Sequence, residues 1–183
     1  MKKVKTKPVS DPKRRELLAA KSRELPKSLR PLEKKLLSMG GSFAIVRPNE
    51  TDAGRILAQG VRLSGRSAEL VRLDMCRCHG NSAKLHLADP SFRIMTGYAL
   101  SSDSIWRQHT WTIRDGKVVE TTEPRVLYFG FELAPGDESN RFAAGNLPMD
   151  EIERILKEFR PEFKPKGSSP RARRGGRRPG SGR

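Results

Sequence analysis

Cysteine is nearly missing from this chain: Cys76 and Cys78 are the only two in 183 residues, and they stand one residue apart. That spacing suits no ordinary structural disulfide, so the expected fold is held by packing, with reduced thiols in a reducing compartment. Histidine is almost as scarce, limited to His79, His86 and His109. Cys76, Cys78, His79 and His86 are all zinc-ligand types, but structural zinc usually takes separated pairs such as Cys-x-x-Cys, which the run "CRCH" lacks. No metal and no cofactor is expected. Aromatic residues make up 6% of the chain. Trp111, Tyr98, Tyr128 and Phe129 fall at strand spacing, which fits a sheet core better than a platform for stacking bases. No apolar run approaches the roughly 18 residues of a membrane span, and "MKKVKTKPVS" is not followed by the apolar stretch of a signal peptide. A cytoplasmic protein is the expectation, with delivery as an effector or toxin an open alternative.

Charge of one sign is abundant, and its placement matters more than its sum. The formal net charge is +16, yet residues 39–160 carry sixteen basic and sixteen acidic side chains. The excess sits in residues 1–38, with thirteen basic against four acidic, and in 161–183, with eight against one. A neutral globular domain over 39–160 is therefore expected, between a basic N-terminal segment with short peripheral helices and a disordered Arg/Gly/Pro-rich tail. Such ends suit non-specific contact with nucleic acid, an acidic protein or a membrane surface, or simple solubilisation.

Local patterns give the elements. Asp11 followed by Pro12 is a helix start, "LRPLEKKLLSM" is a helix stopped by Gly40-Gly41, and "TDAGRILAQG" is a short helix capped by Thr51 and ended by Gly60. "SFAIVRP" reads as a strand, and "CHGNSAKLHLADP" as a helix opening near Cys78 and closing before Pro90. Four strand-like runs follow, "FRIMTGYAL", "RQHTWTIR", "KVVETT" and "VLYFGFEL", and then "PMDEIERILKEF" places Ile152, Ile155, Leu156 and Phe159 on one helical face. Helices followed by consecutive strands predict an α+β fold, a cysteine-bearing helix packed on an antiparallel sheet.

The Asp115-Gly116 pair fixes a register. As the centre of a type I′ turn it pairs Arg114 with Lys117, sets Trp111 opposite Glu120 and His109 opposite Thr122, and puts His109 and Glu120 on one face in diagonal relation. At that separation of about 7–8 Å between backbones, long side chains close to a hydrogen bond. An imidazole oriented by a carboxylate is useful when a nucleophile meets its other nitrogen. Cys78 supplies one, at a helix start where unpaired N–H groups and the dipole favour a thiolate.

"CHGNSA", then "GYAL", "QHTW", "GKVVETT" and "YFGFEL", together resemble the thiol-enzyme core of transglutaminase-like and papain-like cysteine hydrolases, especially small bacterial and phage versions. The resemblance covers roughly residues 74–133. It implies acyl transfer on an amide, of the peptidase, amidase, glutamine deamidase or transglutaminase kind, with Cys78 as nucleophile, His109 as base and Glu120 as its orienter. Two departures stand out: the third residue of such sites is more often Asp or Asn, and Ser82 occupies a place where Ala is usual. Cys76 is the alternative nucleophile if the helix starts earlier. Asn81 and Gln108 are candidates for an oxyanion contact and Trp106 for a cleft wall. The competing class is a non-catalytic, basic-tailed binding protein for nucleic acid or an acidic partner.

Overall fold

The computed structural model describes residues 6, 7 and 9–160. The expected C-terminal tail, 161–183, lies outside the described residues. In chain order the elements are α1 (Pro12–Glu24), a 3-10 turn (Lys27–Leu29), α2 (Arg30–Met39), β1 (Phe43–Ile45), α3 (Ala53–Gln59), β2 (Val61–Ser64), β3 (Glu69–Leu70), α4 (Cys78–Ala88), β4 (Arg93–Leu100), β5 (Ile105–Arg114), β6 (Lys117–Glu120), β7 (Leu127–Glu132), α5 (Asp137–Asn146) and α6 (Met149–Phe159). This is an α+β architecture around one curled, mostly antiparallel sheet. Strands run in the order β2-β7-β4-β5-β6-β3, with β1 added in parallel to the first residues of β5. The pairing of β3 with β6 is also parallel.

Several element starts follow directly from side-chain chemistry. Asp11 accepts a hydrogen bond from the Lys13 amide at 3.0 Å and Pro12 opens α1, where its missing N–H costs nothing. Asp115 and Gly116 both take positive φ, 51° and 73°, as a type I′ turn requires, and β5 and β6 pair Arg114 with Lys117, Ile113 with Val118 and Thr112 with Val119. Strand β6 stops at Glu120, two residues short of the expected end. The amides of Thr121 and Thr122 both donate to the Glu120 carboxylate, so they are withdrawn from the ladder. Thr51 does not cap α3; the capping position is Asp52, and it makes no side-chain cap bond.

The sheet has two apolar faces. On one, Ile94, Tyr98, Leu100, Trp106, Leu127, Phe129 and Phe131 pack against Leu32, Leu36 and Met39 of α2 and Ala53 and Ile56 of α3. The N-terminal segment is thus not peripheral. Leu32 and Leu36 are fully buried, each removing apolar surface worth about 1.5–3 kcal/mol, while the basic residues of α2 occupy the other side of the helix. On the opposite face Met95, Ala99, Trp111, Ile113, Val118 and Tyr128 form a second cluster. Helix α4 packs along β5 and is backed by α5 and α6 through Ala83, Leu87, Ala143, Leu147, Ile152 and Ile155. Strand β2 and helix α5 have no counterpart in the sequence expectations. Among the described residues no helix is long and apolar enough to cross a membrane.

Candidate active site

Period-two alternation along β5 sends His109 and Trp111 to the face shared with Tyr128, and Trp106 and Gln108 to the other. Across the strands, His109 faces Gly97, which in turn faces Gly130. A Cβ on Gly97 would lie 2.4 Å from the Phe129 carbonyl oxygen, and one on Gly130 would lie 2.8 Å from the edge of the Trp111 ring. Gly97 therefore lets the β7 backbone approach closely, and Gly130 makes room for the Trp111 ring. His109 and Trp111 are nearly parallel at 6.3 Å, His109 and Tyr128 lie 6.3 Å apart, and Trp111 is tilted on Tyr128 at 4.9 Å.

Glu120 is 1% exposed and is reached by five donors. His109 Nε2 and the Tyr128 hydroxyl each lie 2.8 Å from Oε2. The amides of Thr121 and Thr122 and the Thr122 hydroxyl each donate to Oε1 at 2.9 Å. A buried carboxylate is costly unless its lone pairs are filled, and here they are. Burial pushes its pKa up, but the bond from His109 leads the opposing effects and holds it at about 2. The same carboxylate, together with burial, drives the Tyr128 hydroxyl well above its ordinary range, so Tyr128 remains a donor.

With Nε2 of His109 held by Glu120, Nδ1 is the nitrogen left for Cys78. His109 is 2% exposed, and burial alone would favour the neutral ring; hydrogen bonds with Cys78 and Glu120 outweigh it and raise the pKa. Cys78 opens α4, and Arg77 before it offers no side-chain cap, so first-turn N–H groups have no capping acceptor. Burial pushes the Cys78 thiol up, but hydrogen bonds with His109 and then His79 bring it down to about 5. Both shifts favour the charged forms, thiolate on Cys78 and imidazolium on His109.

The approach to α4 is tied down from two sides. Asn81 Nδ2 donates to the Asp74 carbonyl at 2.7 Å, and Lys84 Nζ lies 3.1 Å from the Asp74 carboxylate. Asn81 is fully buried, and one of its two amide N–H groups secures this loop. Gln108 points to the face opposite His109, and Trp106 is a core residue there, its indole N–H bonded to the Gly40 carbonyl at 2.8 Å. Neither joins the cluster. Cys76 is exposed, in a turn at φ 61°, outside the cluster. His86 is bonded through Nδ1 to the Phe92 carbonyl at 2.9 Å. Among the described residues no group of three or more His, Cys, Asp or Glu side chains could hold a metal ion.

Residues that the sequence did not single out also belong here. His79, weighed as a zinc-ligand type, has Nδ1 at 3.2 Å from the Cys78 sulfur and stacks on Phe142. Tyr128, taken as sheet core, holds the carboxylate. The "ETT" run carried the only advance signal, an acidic residue followed by two short hydroxyl residues able to bond back to it. A cavity of about 630 Å³ lies elsewhere, between Thr6–Arg14 and Ser102, Asp103 and Val126, and none of the cluster residues lines it. No family model, no curated protein and no solved structure matches the chain.

Proposed function

We propose that the chain is a cysteine-dependent acyl-transfer enzyme acting on an amide, with Cys78 as nucleophile, His109 as base and Glu120 as the group that orients His109. A buried His109 bonded to a fully satisfied Glu120, together with the lowering of the Cys78 thiol by His109, supports this reading. A carboxylate carrying five hydrogen bonds beside a buried imidazole is expensive to build for packing alone, because an apolar pair of the same volume would serve as well. The likeness to the papain and transglutaminase core belongs to the same proposal.

The chemistry runs in two halves. The Cys78 thiol gives its proton to His109 Nδ1, and the thiolate attacks the carbonyl carbon of the amide. Charge then develops on the carbonyl oxygen, which accepts hydrogen bonds from the uncapped N–H groups at the start of α4. The imidazolium returns the proton to the leaving nitrogen, the C–N bond breaks, and a thioester on Cys78 remains. Water or an amine next attacks that thioester while His109 takes its proton, and Cys78 is released. Throughout, Glu120 holds Nε2 as the N–H of both ring states and stabilises the positive one.

The test is release of ammonia or amine from a panel of peptide amides and peptidyl glutamines. Release that is lost in Cys78→Ala and kept in Cys76→Ser supports the proposal. Full release by Cys78→Ala rejects it. A binding role for the basic ends, which hold the whole excess of positive charge, is a separate proposal: affinity for nucleic acid that falls steeply with salt and disappears when 161–183 is removed.

A further inference from the structure

Two imidazoles act on the Cys78 thiol, and only one of them belongs to the proposed triad. His109 approaches from β5, buried and fixed by Glu120 of β6, with Tyr128 of β7 behind it. His79 approaches from α4 itself, with Nδ1 3.2 Å from the sulfur. Neighbouring helix residues do not ordinarily face each other, so this contact depends on the helix start. There Arg77 is at φ −116° and ψ 38°, outside helical geometry, and Phe142 of α5 holds the His79 ring at 5.9 Å with 18° between the planes. The ring is half-buried, whereas His109 is 2% exposed. Of the charged groups described, His109 and His79 are the two that act on the sulfur; α5 presents the apolar Phe142.

We infer that His79 is a positioning residue for the nucleophile: its Nδ1–H donates to the Cys78 thiolate from the solvent side, so that the sulfur is held between a buried and an accessible imidazole. The inference rests on the proposed role of Cys78 and adds to it. His109 is committed to moving the proton, while His79 directs the sulfur lone pair and keeps the thiolate populated in more acidic solution. Ring stacking on Phe142 serves to aim the N–H.

The test uses the full chain carrying Cys76→Ser, so that thiolate ultraviolet absorbance reports Cys78 alone. His79→Phe keeps an aromatic ring against Phe142 and removes the donor; His79→Gln keeps a donor. The expected result is a Cys78 titration midpoint about one pH unit higher in His79→Phe, equivalent to about tenfold less thiolate below both midpoints, with His79→Gln restoring most of it. In the unsubstituted chain the ¹⁵N resonance of His79 Nδ1 should follow the Cys78 titration, a readout that needs no variant to fold. An unmoved midpoint in His79→Phe, with a raised one in His109→Ala, overturns the role of His79 and leaves the Cys78–His109 pair standing. Midpoints unmoved in both variants overturn both. Equal shifts in His79→Phe and His79→Gln, or a His79 resonance indifferent to the thiol, also overturn the inference.

Discussion

Replacing Glu120 with Gln changes one atom and should disable His109 without emptying its pocket. Three donors converge on Oε1, the Thr121 and Thr122 amides and the Thr122 hydroxyl. In Glu120→Gln the oxygen of the side-chain amide is therefore held at that position, and its NH₂ takes the place of Oε2. That group faces His109 Nε2 at 2.8 Å. Two N–H groups cannot bond to each other, so Nε2 must present its lone pair and the neutral ring carries its proton on Nδ1. Nδ1 is the nitrogen left for Cys78, and it can no longer accept the thiol proton. Loss of a hydrogen bond to a charged partner is worth about 1.5–3 kcal/mol, or roughly one to two pKa units. The Cys78 thiol, now held at about 5, should rise to about 6–7, and turnover should fall by about 10⁴-fold, the scale seen when a triad carboxylate becomes an amide. Imidazole ¹⁵N spectra near pH 7 should show two protonated nitrogens on His109 in the natural chain and protonation of Nδ1 alone in Glu120→Gln. A Glu120→Gln protein that is folded, keeps the imidazolium signature and titrates Cys78 within a few tenths of a unit of the natural chain would refute the assignment of Glu120.

Other outcomes follow from the same geometry. Glu120 is depressed from 4.5 to about 2, so its share of stability is present above pH 4.5 and lost as pH falls through about 2; urea unfolding across that window should weaken in the natural chain and much less in Glu120→Gln, and parallel curves would count against a buried, ionised Glu120. Tyr128→Phe removes one of five donors to the carboxylate and should raise the Cys78 midpoint by less than Glu120→Gln does; a larger shift would mean that Tyr128 acts on the sulfur by another route. Gly97→Ala would bring a Cβ to 2.4 Å from the Phe129 carbonyl oxygen and 2.5 Å from Gly130 Cα, so denaturant unfolding should show a loss of more than about 3 kcal/mol or no folded protein; near-natural stability would contradict the strand packing. Leu36→Ala should cost about 2–5 kcal/mol because Leu36 is fully buried beneath the sheet, and a cost under about 1 kcal/mol would return α2 to the periphery.

The hairpin that carries the site was legible because two local rules coincide there: Asp-Gly selects the turn, and alternation then dictates which residues share a face. The diagonal between His109 and Glu120 follows from that register, and the structure places the two side chains at 2.8 Å. The helix at Cys78 was legible from its stop before Pro90, although His79, Gly80 and Asn81 are mediocre helix formers. Other assignments failed where nearness in sequence stood in for geometry. Gln108 and Trp106 are one and three residues from His109, an odd number in each case, so the pleat turns both to the opposite face. In α2, two lysines and an arginine masked the stripe of Leu32, Leu36 and Met39, which enters the main core. The contact of His79 with Cys78 depends on non-helical backbone at Arg77 and on Phe142, which is 63 residues away in sequence. No local pattern encodes that contact. Neither does sequence reveal that β5 also accepts β1, in parallel, at Ile105–Arg107.

The central claim is that Cys78 is a thiolate because His109 holds its proton. Iodoacetamide labelling at pH 6, mapped by mass to each cysteine, tests it in the natural chain and in His109→Ala. The account predicts fast labelling of Cys78 in the natural chain, since pH 6 lies above a midpoint of about 5, and a loss of about tenfold or more in His109→Ala. Equal, slow labelling of Cys76 and Cys78 that ignores the substitution would contradict it.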